Sequence, residues 1–248
     1  MLITGAGRGL GRAIAVRLAG DGMSIICAGR DREALQTTAE LITAAGGAAQ
    51  VIELDLRDRT ALAELPGACG TLDAAVANSG VAGPTGPAWT IGAEEWDETL
   101  QVNLTGGFLL ARAVLPGMIQ RGAGSVVFIG STTAGRPLPG RAAYAASKSA
   151  LSGLVRSLAL DAGPHGVRIN LVSPGPIAGD RLESVLALQA RERGTTVEDL
   201  RSEFLSASPM RRLTEPGDVA AAVAFLIGPG AQGITGAELT VASGTVMA

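Results

Sequence analysis

The chain contains very few of the side chains that most often carry polar chemistry. Its 248 residues include one histidine, one tyrosine and two cysteines, and of the 20 cationic residues all except Lys148 are arginines. The single histidine, His165, lies in a loop-like Gly-Pro-His-Gly sequence, which argues against both a metal site and a Ser-His-Asp triad. Cys27 and Cys69 lack metal-ligand spacing and are interpreted as reduced core residues. We therefore expect no bound metal.

Charge and hydropathy exclude further classes of protein. The formal net charge is -3 and no run of basic residues occurs, so neither nucleic acid nor an anionic membrane is an expected partner. No stretch approaches the roughly 18 uninterrupted apolar residues of a membrane span, and the first residues do not resemble a secretory signal. We expect a soluble cytoplasmic protein, and the length suits one large α/β domain.

The only tyrosine and the only lysine stand four residues apart, at Tyr144 and Lys148. Residues i and i+4 share one face of a helix, and an ammonium beside a phenol favours the phenolate. Such a pair can donate or accept a proton near neutral pH. Taken alone, the same spacing more often marks an incidental surface pair on a helix, so the neighbouring motifs must decide.

Short apolar stretches alternate with helix-length segments along the whole chain. We predict strands at Leu2 to Thr4, Ser24 to Ala28, Gln50 to Leu56, Leu72 to Ala77, Ser125 to Ile129, Arg168 to Val172 and Glu238 to Val241. This alternation predicts an α/β fold, a single-domain Rossmann-type doubly wound parallel sheet with helices on both faces, spanning residues 1–248. Two amphipathic helices, about Asp180 to Arg193 and Val197 to Ala207, interrupt the alternation, and we predict a substrate lid at about 176–215. This range is called the lid segment below.

A glycine-rich turn follows the first predicted strand, with the spacing Thr4-Gly5-x-x-x-Gly9-x-Gly11. At a strand-to-helix junction such a turn lets the backbone approach a pyrophosphate, and the helix N-terminus adds donors. A merely tight connection would show the same composition, but the position at the first such junction favours dinucleotide binding.

Two arginines indicate which dinucleotide is bound. Arg30 follows the second predicted strand, where an acid would accept a hydrogen bond from a ribose hydroxyl, and Arg8 lies in the glycine turn. Two guanidinium groups suit a 2′-phosphate, so NADP(H) is the preferred cofactor and NAD(H) the alternative. Asp31 would oppose a phosphate there, and Arg30 could also simply begin a solvated helix.

With these motifs in order, the chain resembles the classical short-chain dehydrogenase/reductases along essentially its whole length, and within them the 3-oxoacyl-carrier-protein reductase-like group. Together with the two arginines, the resemblance implies cofactor contacts from the glycine turn, from the ends of four further strands and from the tyrosine and lysine: Thr4, Gly5, Arg8, Gly9, Leu10, Gly11, Arg30, Asp55, Leu56, Asn78, Gly80, Tyr144, Lys148, Pro174, Gly175 and Ile177. The sequence departs from the family at Ala77, where an asparagine is usual, at Gly179, where a threonine is frequent, and at Ala242-Ser243-Gly244 in place of Asp-Gly-Gly.

The same resemblance implies a catalytic set of Asn103, Ser131, Tyr144 and Lys148. Tyr144 would exchange the proton, Ser131 would bind the substrate oxygen, and Lys148 would act on Tyr144 and on the nicotinamide ribose. Asn103 would hold a water that connects Lys148 to solvent. The implied reaction is hydride transfer between nicotinamide and a carbonyl or secondary alcohol.

Two other functions remain open at this point, and so does the state of assembly. One is an NAD-dependent catabolic alcohol or hydroxy-acid dehydrogenase, and the other is a dinucleotide-sensing binding protein on the same fold. The expected partner is a small-molecule carbonyl or alcohol substrate. By resemblance, the helices at about Leu104 to Met118 and Ala142 to Leu160 associate subunits, which predicts a homo-oligomer, either a tetramer or a dimer.

Overall fold

A parallel sheet forms the centre of the computed structural model, which describes residues 1–247. Within that range the sheet has seven strands in the order β3-β2-β1-β4-β5-β6-β7, and every pairing is parallel. The strands are β1 (Leu2–Thr4), β2 (Ile25–Gly29), β3 (Ala49–Glu53), β4 (Ala74–Ala77), β5 (Gly124–Ile129), β6 (Val167–Pro174) and β7 (Glu238–Val241). The Rossmann-type fold predicted from the sequence is confirmed.

Helices connect the strands and cover both faces of the sheet. They are α1 (Gly9–Gly20), α2 (Arg32–Ala44), α3 (Arg59–Cys69), α4 (Ala93–Leu100), α5 (Gly106–Arg121), α6 (Ala142–Ala162), α7 (Asp180–Arg193), α8 (Val197–Ala207) and α9 (Pro216–Ile227). Because successive strand residues point to opposite faces, Leu2 belongs to one core cluster and Ile3 to the other, and both are fully buried. Burial on both faces explains why the strands are continuously apolar.

The strand order reverses direction between β1 and β4. Crossovers from β1 run outward through β2 and β3, and the chain then returns to β4 on the other side of β1. In open parallel sheets, ligands bind beyond the carboxyl ends of the strands at such a reversal. Thr4 and Ala77 are the last residues of β1 and β4, so the glycine turn and the Asn78 to Gly80 loop meet there.

A five-residue π-helical turn, Gln101–Thr105, joins α4 to α5. The resulting run Ala93–Arg121 is long and apolar enough, by length and composition alone, to cross a membrane. Its side chains Leu110, Val114 and Met118 instead pack in the core cluster around Phe128. The apolar composition of this run is therefore that of a core helix lying against the sheet.

The third strand is shorter than the sequence predicts. Alternating apolar residues continue to Leu56, but β3 ends at Glu53. The Leu54 amide still donates to the Gly29 carbonyl of β2 at 2.8 Å, and the chain then turns, with the Asp58 amide donating to the Asp55 carbonyl at 3.0 Å. Leu54 and Leu56 are still buried in a core cluster. Their apolar character therefore reflects packing of the turn, and it does not extend the strand.

Candidate active site

Helix α6 carries both residues of the Tyr144 and Lys148 pair, one turn apart near its beginning. Tyr144 is half-buried, whereas Lys148 is buried with 4% of its surface exposed. The Lys148 Nζ lies 5.9 Å from the centroid of the Tyr144 ring. It donates a hydrogen bond of 2.7 Å to the Ile129 carbonyl oxygen at the end of β5. This bond fixes the amine between α6 and the strand that leads to Ser131.

Burial strongly perturbs the amine of Lys148. Removal from water disfavours its charged form, and the positive charge of Arg181 acts in the same direction, so the pKa of Lys148 falls from 10.5 to about 7. The amine can therefore both bind and release a proton near neutral pH. Perturbation of this kind in a polar cleft is typical of functional sites.

Ser131 stands two residues beyond the end of β5 and is 8% exposed. Its Oγ accepts a 3.1 Å hydrogen bond from the Thr133 amide, and the residue caps the short turn Thr132–Ala134. Within residues 1–247 the hydroxyl donates to no acceptor, so its proton remains available for a substrate oxygen. The backbone capping bond holds the hydroxyl in place.

Asn103 lies in the π-helical turn and ties three elements together. Its Oδ1 accepts from the Val81 amide at 2.8 Å, and its Nδ2 donates to the Val81 carbonyl at 3.1 Å and to Ser147 Oγ at 3.0 Å. Ser147 Oγ in turn donates to the Tyr144 carbonyl at 2.8 Å. The side chain of Asn103 thus positions the first turn of α6. A water held by Asn103 stays a prediction.

The glycine turn has the shape that a phosphate cradle requires. Gly5 and Gly9 have φ values of +68° and +52°, which side-chain-bearing residues rarely adopt, and the space where a Gly9 Cβ would stand is empty within 4 Å. A Cβ on Gly11 would collide with the Gly5 carbonyl oxygen. Leu10, at the start of α1, is half-buried. The residues present therefore fit a dinucleotide pyrophosphate at the N-terminus of α1.

Thr4 and Asn78 hold this turn to the next strand. The Thr4 hydroxyl accepts from the amides of Asn78 and Ser79, each at 3.1 Å, and Asn78 Nδ2 donates to the Thr4 carbonyl at 2.8 Å. The second asparagine position of the family motif thus joins β1 to β4, although Ala77 occupies the first. These side chains position the cradle through contacts with the protein itself.

The arginines at the other end of the cleft are partly paired with acids. Arg8 forms a 2.6 Å ion pair with Asp31, whose other oxygen caps α2. Arg30 is exposed at the end of β2. Asp55 is bound by Arg57 at 2.6 Å, and hydrogen bonds from Arg57 lower the pKa of Asp55 despite its partial burial, with the charge of Arg30 adding to the effect. Sequence reasoning missed Arg57, although the Asp-Leu-Arg order placed it beside the acid.

Pro174, Gly175 and Ile177 lie where the lid segment leaves the sheet. The Gly175 amide donates to the Val241 carbonyl at 2.9 Å, and a Cβ on Gly175 would stand 2.9 Å from Ala242 Cα. Ile177 pairs with Thr214, and the Thr214 amide donates to Pro176. The two ends of the lid segment are therefore joined beside the carboxyl end of β6, with α7 and α8 between them.

Two cations near Tyr144 were missed from the sequence. Arg141, immediately before α6, is 5% exposed, and its guanidinium carbon lies 4.9 Å from the centroid of the Tyr144 ring. Arg181, in the first turn of α7, donates a hydrogen bond to the Gly80 carbonyl. The spacing of three residues between Arg141 and Tyr144 could have indicated this contact, because residues i and i+3 are neighbours on the surface of a helix. No sequence signal connected Arg181 with Gly80.

Comparisons with known proteins agree with this geometry. The profile of a family described as enoyl-(acyl carrier protein) reductase matches residues 5–246. The chain is 35% identical to 2,3-dihydro-2,3-dihydroxybenzoate dehydrogenase of Bacillus subtilis, over 99% of this chain and 95% of that protein. It superposes on NAD+-bound xylitol dehydrogenase with a TM-score of 0.94 and 30% identity, covering 98% of this chain and 97% of the other. For actinorhodin polyketide ketoreductase with NADPH, the TM-score is 0.92 and the identity 32%, covering 98% and 95%.

Proposed function

This chain belongs to the short-chain dehydrogenase/reductase family, and from that premise we propose that it is an NADPH-dependent reductase of ketones, of the 3-oxoacyl type. Family membership makes it an NAD(P)-dependent oxidoreductase acting on alcohols or carbonyls. The observation that carries the proposal is the buried Lys148 amine, fixed to the Ile129 carbonyl beside Tyr144. The binding-protein alternative is not retained, since the chain keeps both residues of the proton-transfer pair.

Tyr144, Ser131 and Lys148 each act on the proton or on the substrate oxygen in the proposed ketone reduction. A bound nicotinamide would supply the hydride. Tyr144 donates the proton to the substrate oxygen, and Ser131 donates a hydrogen bond that strengthens as negative charge develops there. Lys148, with its pKa of about 7, supplies a new proton to Tyr144 after Tyr144 has protonated the substrate oxygen. In the oxidative direction the same groups act in reverse.

The proposed preference for NADPH rests on the arginines around the ribose end of the cleft. Arg30 is exposed and has no ion pair with a carboxylate in residues 1–247, whereas Arg8 is already paired with Asp31. Arg30 is therefore the cation best placed to bind a 2′-phosphate.

Replacing Arg30 by alanine should raise the KM for NADPH by about 10- to 100-fold, the size of a lost charge-assisted hydrogen bond. The KM for NADH should change little, because NADH lacks the phosphate. Initial rates with both cofactors measure this difference, and Arg17→Ala, on the exposed face of α1, is the matched control. Equal effects on the two cofactors would remove Arg30 from the proposed phosphate site.

One observation favours the NAD-dependent alternative, an alcohol or hydroxy-acid dehydrogenase. Asp31 follows Arg30 directly and neutralises Arg8, and a carboxylate at this edge suits a ribose hydroxyl. A panel of ketones with NADPH, run beside the matching alcohols with NAD+ and followed by nicotinamide absorbance, decides between the two. Faster oxidation of alcohols with NAD+ would support the alternative.

We also propose a homo-oligomer, a tetramer or dimer, assembled through α5 and α6. Phe108 on α5 and Leu160 on α6 are 42% and 79% exposed, and apolar side chains left in water on these helices suit a subunit contact. Val114 and Leu151, by contrast, are buried against the sheet of their own subunit. The proposed compartment is the cytoplasm, which suits the free thiols of Cys27 and Cys69.

A further inference from the structure

Two arginines approach the Tyr144 side of the site, and neither has an anionic partner. None of the ion pairs formed within residues 1–247 includes Arg141 or Arg181. Lys148 adds a third basic group a short distance away. Arg141 and Lys148 are buried, and Arg181 is exposed beside them. Buried positive charge is costly unless an anion balances it, so this group of cations favours a negative ligand.

Arg141 is a fixed part of the wall. Its guanidinium donates to Thr85 Oγ1 at 3.1 Å and to the Ala82 carbonyl at 2.8 Å, both in the loop after β4. Burial lowers the pKa of Arg141, and the nearby charge of Arg181 lowers it further. Because its two terminal nitrogens already have protein partners, Arg141 contributes mainly its charge to the cleft.

Arg181 is the cation with donors to spare. It projects from the first turn of α7 and donates to the Gly80 carbonyl. Gly80 itself borders the catalytic residues, since a Cβ built on it would stand 3.1 Å from Asn103 Oδ1 and 3.6 Å from Lys148 Nζ. A guanidinium has five N–H donors in a planar fork that matches a carboxylate. Arg181 thus connects the lid segment to the floor of the cleft and can bind a further acceptor.

The acids nearest to Arg181 in sequence do not neutralise it. Asp180 is exposed, and its carbonyl accepts from Ser184 Oγ. Glu183 forms a 2.6 Å ion pair with Arg201 on α8. Both first-turn acids therefore leave the Arg181 guanidinium without a carboxylate partner from its own helix.

We propose that the substrate is an oxo acid whose carboxylate is bound by Arg181 while its ketone oxygen meets Tyr144 and Ser131. This proposal rests on the proposed ketone reduction and narrows its substrate class to free oxo acids, in place of 3-oxoacyl thioesters, which carry no carboxylate. The reaction converts the oxo acid, NAD(P)H and one proton into the hydroxy acid and NAD(P)+. Hydride goes to the carbonyl carbon and the proton of Tyr144 to its oxygen, while the carboxylate is unchanged. Arg181 is a specificity-determining residue, and Arg141 adds a fixed field of the same sign.

The test compares three oxo acids of increasing length, 2-oxobutanoate, acetoacetate and levulinate, with the corresponding neutral amides. The enzyme loaded with cofactor should favour at least one acid over its amide by about 10- to 100-fold in kcat/KM, the range of a charge-assisted pair. Arg181→Met should remove that preference, because it should raise the KM for the acid at least about tenfold more than the KM for the amide, while the KM for the cofactor stays within about twofold. Any effect of the substitution on the pKa of Lys148 acts on acid and amide alike and cancels in their ratio. Arg191→Met, at the far end of α7, is the matched control and should behave as the wild type.

Binding provides a second measurement that does not depend on turnover. Calorimetric titration of the protein loaded with oxidised cofactor, which cannot reduce the acid, should show affinity for the preferred acid weakened in Arg181→Met and retained in Arg191→Met. Equal losses for acid and amide, or a raised KM for the cofactor, would instead assign Arg181 to the lid or to cofactor phosphates and overturn the proposal. If neutral ketones are reduced and no oxo acid is preferred over its amide, the proposal of an oxo-acid substrate is overturned. The proposed ketone reductase activity would still stand in that case. Absence of turnover with every carbonyl would reject the proposed function itself.

Discussion

Replacing Tyr144 by phenylalanine is expected to lower turnover by about 10²- to 10⁴-fold, the usual contribution of a positioned general acid or base. The ring and its contact with the Arg141 guanidinium, 4.9 Å from its centroid, remain possible in the variant. Only the hydroxyl is lost. NADPH binding, measured by calorimetric titration, should therefore stay close to the wild type while kcat falls.

The composition of the chain makes this test unusually direct. Tyr144 is the only tyrosine, so phenolate absorbance in the wild type reports the ionisation of this residue alone. The matched control is Ser149→Ala, an exposed residue on the same helix whose hydroxyl donates to the Ala134 carbonyl at 3.0 Å. Activity of Tyr144→Phe equal to that of Ser149→Ala would eliminate proton transfer by Tyr144.

Replacing Lys148 by methionine is expected both to lower turnover by about 10²-fold or more and to change how stability depends on pH. Burial, with a smaller effect of Arg181, lowers the pKa of Lys148 from 10.5 to about 7. Between these values the unfolded chain binds a proton that the folded chain does not, so the free energy of unfolding rises with pH. Below about pH 7 both states are protonated, and the full cost of burying the charge is present.

The wild type should therefore gain stability relative to Lys148→Met as pH increases. The gain is about 1.5 kcal/mol between about pH 7 and about pH 8.5, since a full proton difference contributes ~1.4 kcal/mol per pH unit. Urea unfolding of the cofactor-free protein at a series of pH values measures it. Parallel stability curves for the two proteins would show that Lys148 keeps an ordinary pKa in the folded state.

Local patterns in the sequence were sufficient to predict most of the architecture. The bounds predicted for α7 and α8 agree with the structure at both ends, because Gly179 and Gly194 flank α7 and Thr196 caps α8. The strand ending at Glu53 was predicted too long because Leu54 and Leu56 are buried in a turn. Alternating apolar residues indicate which side chains are buried, but they do not indicate whether the backbone still pairs with a neighbouring strand.

The site was only partly accessible to the same reasoning. The order and spacing of Asn103, Ser131, Tyr144 and Lys148 indicated the catalytic set through the family resemblance, and the structure joins their elements through Ser147 and the Ile129 carbonyl. The roles of Arg57 and Arg181 depend on contacts with Asp55 and Gly80. The second of these pairs residues from distant parts of the chain, so no local pattern could predict it.

The single lysine has a consequence for how opening of this molecule can be observed. A protease that cleaves only after lysine has one susceptible bond in the chain, between Lys148 and Ser149, and that bond lies inside α6. Cleavage requires local unravelling of the helix, and it yields just two fragments, residues 1–148 and 149–248. The rate at which these fragments appear therefore reports how often α6 unfolds. A bound ligand that holds α6 in place would slow that rate in proportion to its occupancy.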